Sequence, residues 1–235
     1  QLLETALAKD PRNLQLKVPL ARWLMLSNQY DRAMELLKEV RATKVKAKPF
    51  EALRAFSLHD LGTMLYCDLV LRRLDDNDPA ARESALQEVQ TLVDAITRIN
   101  PGLEGWTRAL RARVYLAQGS VARAADAMDE AIAAMRSGRG GDVFLLTEAY
   151  LISAQLRSQL GHWGAAANSY RELMTIRPDL QHLRLQLAET HLRGQQLFDA
   201  ERVLQAVLTD EPNHAVARLL LGQLRTMQER YDDAI

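Results

Sequence analysis

Several groups of residues in this 235-residue chain have the types and spacing for chemistry. The stretch SGRGGD at 137–142 is glycine-rich, and successive backbone N–H groups in such a loop can cradle an anion. No strand pattern precedes it, however, and the lysine-plus-hydroxyl ending of a phosphate-binding loop is absent, so it reads as a flexible connector. Among Asp75, Asp76 and Asp78 a general-acid pair could be drawn, but beside a helix start these carboxylates serve more simply as caps and dipole partners. His182 and His191 stand nine apart, with no acidic or cysteine partner at i+3 or i+4 to complete a zinc set. The single cysteine, Cys67, lies in the apolar series Leu61, Met64, Leu65, Leu69 and reads as a buried structural thiol. A catalytic thiol needs a base and an electropositive setting, for which His59 alone is weak support. There is no glycine-flanked serine nucleophile. These residues predict no catalytic set, no metal site and no cofactor, hence a chain that is not an enzyme.

Composition limits the elements that carry these residues. Apolar residues make up 48% and charged residues 26%, the balance of a folded chain rather than a disordered one. The opening QLLETALAKDPRN lacks the basic-then-apolar layout of a signal peptide. Apolar runs such as LLLG at 219–222 are far too short to span a bilayer. A soluble segment without direct membrane insertion is expected, and its compartment stays open. Net charge is zero but uneven: residues 1–48 hold all six lysines, and ten Lys and Arg against five Asp and Glu. The cluster Arg41, Lys44, Lys46, Lys48 offers a surface for anions, although a solvated connector is the favoured reading. No basic stripe interleaved with aromatics continues down the chain, so nucleic acid is not an expected partner.

The dominant signal is a period of 34. It separates Ala166, Ala200 and Ala234, also Ala154, Ala188 and Gly222, and also Pro178 from Pro212. Within each unit the two small residues are 12 apart, an interval repeated at Ala21–Ala33 and Ala112–Ala124. Each unit reads as two amphipathic helices whose small residues allow close approach, with a bulkier Trp163, Leu197 or Tyr231 opening the second. A proline just past that helix stops it. One such pair cannot bury its apolar face alone, so the units must stack.

This spacing resembles the tetratricopeptide repeat (TPR): a small residue at position 8, alanine at 20, an aromatic or apolar residue at 24, a small or apolar one at 27 and proline at 32. Ala154, Ala166, Tyr170, Leu173 and Pro178 match it, as do Ala188, Ala200, Leu204, Val207 and Pro212. Gly161 and Trp163 fit the inter-helix turn. Ala6 and Pro11 close one repeat, and Ala21, Ala33, Leu37 and Val40 continue the next. The resemblance implies an all-α fold, a right-handed solenoid of stacked antiparallel helix pairs. Its expected divisions are a repeat end at 1–13, repeats at 14–47, 147–180 and 181–214, an enlarged repeat at 48–104, a repeat with the glycine-rich insertion at 105–146, and a repeat start at 215–235.

Three departures stand out. Pro19 falls inside a first helix, which is expected to kink or to begin near Leu20. Residues 50–74 read as one helix of about 24 residues, roughly 36 Å long, with Leu61–Gly62 in the close-packing place; Asp78 and Pro79 then open another helix running to about Ile99. The insertion spreads Ala124 to Ala166 over 42 residues in place of 34. At the far end, MQERYDDAI is expected to begin a second helix at Tyr231, as though the chain were an interior slice of a longer array.

In TPR arrays the first helices line a concave groove. Carried across residue by residue, the resemblance implies partner contacts at Arg22, Trp106, Arg113, Leu151, Gln155, His182, Leu185, Glu189, Leu219 and Gln223. A polar row beside an apolar row suits an extended peptide or an amphipathic helix. Equally, the apolar row packs against the neighbouring helix and the polar row only faces water. The lysine–asparagine–arginine clamp for C-terminal carboxylates and the asparagine ladder of sugar-transferring TPR enzymes are both missing from these positions. The expected function is a non-catalytic scaffold binding a protein or peptide partner in the groove. The alternatives are an accessory region of a bacterial envelope or polysaccharide-export machine, and a module that self-associates through open ends.

Overall fold

The computed structural model describes residues 2–43, 49–75, 77–180 and 182–232, with backbone alone at 49–57 and 229–232. All regular structure among these residues is helical: α1 (Leu2–Lys9), α2 (Leu14–Leu26), α3 (Tyr30–Ala42), α4 (Pro49–Arg72), α5 (Pro79–Ile99), α6 (Glu104–Ala117), α7 (Val121–Arg136), α8 (Val143–Gln159), α9 (Trp163–Ile176), α10 (Leu183–Arg193), α11 (Leu197–Asp210) and α12 (Ala215–Asp232), with a 3-10 turn at Pro101–Leu103 before α6. No helix among the described residues is long and apolar enough to cross a membrane. The chain forms two compact units, residues 1–120 with 133–140, and residues 121–132 with 141–235.

In the first unit α2 packs on α3, and α4 packs on both and on α5 and α6. The helical period places Ala21 and Ala33 at zero exposure, with Leu37, Val40, Leu69, Val89 and Val93 closing the core. Gly62 of α4 lies so close to α3 that an added Cβ would stand 2.5 Å from Val40 Cγ1. The helix α4 is 24 residues long, and Asp78 caps α5 by accepting from the Ala81 N–H at 3.0 Å, with Pro79 as its first residue. Pro19 does not delay α2, which starts at Leu14 under the Asn13 cap. The bond it forfeits is the one to the Gln15 carbonyl, a single loss within a helix held by its buried face.

In the second unit α8 pairs with α9, α10 with α11, and α12 packs on α11 and α10. Ala154, Ala166, Ala188 and Ala200 are all at zero exposure. Arg157 of α8 bridges Asp126 and Asp129 of α7, and Ser153 donates to Asp129 at 2.7 Å.

The first helices end in one recurring device. Asn28, Gly119, Gly161 and Gln195 have left-handed φ of 58°, 77°, 74° and 56°. After each, the next N–H reaches back five residues: Gln29 to Leu24 at 2.9 Å, Ser120 to Tyr115, His162 to Arg157 and Gln196 to His191, each at 2.8 Å. This is the Schellman arrangement, which satisfies carbonyls that the helix end would orphan. The position 34 residues beyond Gln195 is Glu229, and it lies inside α12. The expected break before Tyr231 is therefore not found. Gln228 and Glu229, both good helix formers, stand where Gly194 and Gln195 follow α10. Ala234 lies outside the described residues.

The glycine-rich insertion is anchored rather than loose. Gly138 (φ 78°) caps α7, with the Gly138 and Arg139 N–H groups bonded to Met135 and Ala134 carbonyls. Gly105 donates its N–H to the Arg139 carbonyl at 2.8 Å, and Arg139 pairs with Glu104 at 2.9 Å. The Gly138 and Arg139 amides are thus spent on the helix end, and Asp142 caps α8 through the Leu145 N–H at 2.8 Å.

Candidate functional site

Helix α4 holds Cys67 and His59 apart, so they form no thiol–base pair. Cys67 follows His59 by eight residues, about 12 Å along the helix axis, and His59 Nε2 stands 3.3 Å from the Arg41 carbonyl. Cys67 is fully buried, and desolvation first of all pushes its thiol up to about 12, leaving an unreactive SH group. Asp75 accepts from the Asn77 N–H at 2.8 Å as a turn residue, while Asp76 lies outside the described residues. Arg41 pairs with Glu88 at 2.9 Å and covers the Tyr66 ring at 4.1 Å, so it belongs to packing between helices; Lys44, Lys46 and Lys48 lie outside the described residues.

The residues expected to meet a partner divide by unit. In the first unit they are absorbed into the fold. Trp106 is 8% exposed, a core side chain rather than a groove contact. Arg113 is held by the buried Asp68 of α4, which also pairs with Arg72 at 2.9 Å. Arg22 is half-buried, and Val18 and Ala109, which precede Ala21 and Ala112 by three as Leu151 precedes Ala154 and so belong to the apolar row, are buried. Packing thus uses the apolar row here.

The second unit leaves the same rows open. Leu151 and Leu185 are half-buried and Leu219 is 71% exposed. Beside them Gln155 and Gln223 are exposed, Glu189 is half-buried, and His182 is exposed at the start of α10. Each row advances by one 34-residue step, from α8 to α10 to α12.

Two cavities open on this unit. One of about 180 Å³ includes His182, Leu185, His214 and Glu211, and Arg184 at its edge pairs with Asp210 at 2.5 Å. The other, of about 240 Å³, joins α8, α9 and α10 and holds Gln155 and Glu189. It also recruits Gln159, Gln186 and Arg193, which the row pattern alone does not select. Helical spacing would have found two of them, since Gln186 and Arg193 lie one turn either side of Glu189. Trp163 and Tyr170 supply its aromatic wall. Burial, then the Glu189 carboxylate, raises the Tyr170 hydroxyl, so it remains a neutral phenol. Glu189 is neutralised by Arg193 at 2.7 Å. Among the described residues no three His, Cys, Asp or Glu side chains are grouped to hold a metal ion.

Residues 1–55 and 185–235 each match a family profile described as tetratricopeptide repeat. The TPR protein TTC0263 of Thermus thermophilus is similar in structure, with a TM-score of 0.61 and 21% identity over 81% of this chain and 88% of that one. A chain of the APC/C hetero-tetramer Cut9–Hcn1 gives a TM-score of 0.53 and 11% identity, over 94% of this chain and 45% of that one. Identities this low speak for the fold alone. No curated protein matches the sequence. Helices packed in consecutive pairs, buried alanines at intervals of 12, and family matches near both ends lead to one conclusion: the chain has the tetratricopeptide-repeat fold, and its residues 1–55 and 185–235 are tetratricopeptide-repeat segments.

Proposed function

We propose that the chain is a non-catalytic scaffold that binds a segment of a partner protein along the first-helix face of its second unit. The observation that carries this is the pair of open rows, Leu151, Leu185 and Leu219 beside Gln155, Glu189 and Gln223. An apolar row gives a partner area to bury, and a parallel polar row fixes its register. The first unit, with Trp106 buried and Arg113 paired, supplies support rather than contacts. The test is capture of partners by the Leu219→Asp and Leu185→Ser double variant, with circular dichroism as a control on folding. Loss of capture with unchanged helicity is expected. Undiminished capture, with crosslinks on second-helix residues such as the exposed Phe198, would overturn the reading.

A second reading is self-association through α12, where Val216 is 49% and Leu219 71% exposed. Light scattering across protein concentration separates the two. A monomer at all concentrations that still captures a partner rejects self-association.

A further inference from the structure

The cavity of about 240 Å³ between α8, α9 and α10 has a chemical character that the open rows alone do not specify. Its side-chain amides, Gln155, Gln159 and Gln186, are exposed and make no hydrogen bond among the described residues. Its charged pair is internally neutralised, Arg193 on Glu189. A primary amide offers one acceptor and two donors in a plane. That set matches the C=O and N–H which an extended peptide presents along one edge. Three such amides on two neighbouring helices, above an aromatic wall, form a surface suited to a backbone, with its one charged pair closed on itself and so little to recruit a charged ligand.

We infer that this cavity takes an extended, uncharged peptide segment, held through its main chain by the amides of Gln155, Gln159 and Gln186. The inference rests on the scaffold reading and names what that face takes. Main-chain bonds supply the affinity, as in other modes of extended-peptide recognition, while the half-buried Leu151 and Leu185 on the same helices receive apolar side chains.

The experiment selects a displayed random library of peptides of about twelve residues on the full chain, then resynthesises the enriched sequences with blocked termini. Enriched peptides are expected to show no excess of either charge. Their Kd should change less than about twofold between about 50 mM and about 500 mM NaCl, because no ion pair is being screened. Gln155→Ala with Gln186→Ala should weaken binding about tenfold or more, and N-methylation of central main-chain amides should remove it. Enriched peptides that are charged, salt-sensitive and dependent on Glu189 or Arg193 overturn the inference. So does binding indifferent to N-methylation, or displacement of the peptide by maltoheptaose, which would assign the amides to a sugar. If such peptides still need Leu185 and Leu219, the scaffold reading survives the loss of this one. A library with no binder defeats both.

Discussion

Gly194, at the end of α10, lies against Trp163, the first residue of α9: a Cβ added to Gly194 would stand 2.6 Å from Trp163 Cβ. The two are 31 residues apart and belong to successive helix pairs. The contact joins the turn of one pair to the second helix of the pair before it, beside the cavity wall that Trp163 helps to build. Gly194→Ala is therefore expected to destabilise the protein by about 1–3 kcal/mol, the usual cost of overpacking. Urea unfolding followed by circular dichroism measures it, and an unchanged midpoint would mean that the turn relaxes freely.

The left-handed turn residues predict effects of opposite sign. Gln195→Gly removes the Cβ strain of a φ of 56° and should stabilise by about 0.5–1 kcal/mol. Asn28→Gly should gain less, since asparagine tolerates this region, whereas Gly161→Ala should lose about 1 kcal/mol. Thermal melts of the three variants would show this order, and a loss at Gln195→Gly would contradict it.

Asp68 and Arg113 form an ion pair whose side chains are only 9% and 14% exposed. Removing one partner strands a buried charge, so Arg113→Ala or Asp68→Ala should each cost about 3 kcal/mol. Asp68→Leu with Arg113→Met should restore much of that loss, because neither buried charge of the pair is then left alone, and Arg72, the other partner of Asp68, is 38% exposed and stays solvated. A double-mutant cycle on chemical denaturation measures the coupling; additive effects would show that the pair contributes nothing as a pair.

Cys67 predicts an alkaline dependence. Burial raises its pKa from 9.0 to about 12 in the folded state, so between those values the unfolded chain loses a proton that the folded chain retains. Stability from this group is full below pH 9 and falls as pH rises toward 12. Cys67→Ala should flatten that part of the stability curve. In the native protein a thiol reagent at about pH 8, near the ordinary thiol pKa, should react only as fast as the chain opens, and rapid labelling would disprove the burial.

The sequence by itself determined the helix pairs. Small residues 12 apart, a 34-residue step and a proline after the second helix are local and periodic, and the structure buries Ala154, Ala166, Ala188 and Ala200 completely. The long α4 and the Asp78–Pro79 start of α5 were legible for the same reason, since caps and periodicity act over a few residues. Repeat register also nominated Gln155, Glu189 and Leu219, which stand together with their rows on one unit. Other features were not local. Trp106 and Val216 each precede the small residue of their first helix, Ala112 and Gly222, by six, yet one is core and the other 49% exposed, because exposure depends on which helix packs beside each. The repeat pattern points Arg113 at a groove because its acceptor, Asp68, lies 45 residues back on a helix outside the 34-residue period. The turn at Tyr231 failed to appear because helix propensity continues where nothing stops it. Tertiary packing decided which copies of a repeated position hold the fold together and which remain exposed, since burial is set by neighbours that a repeat pattern does not name.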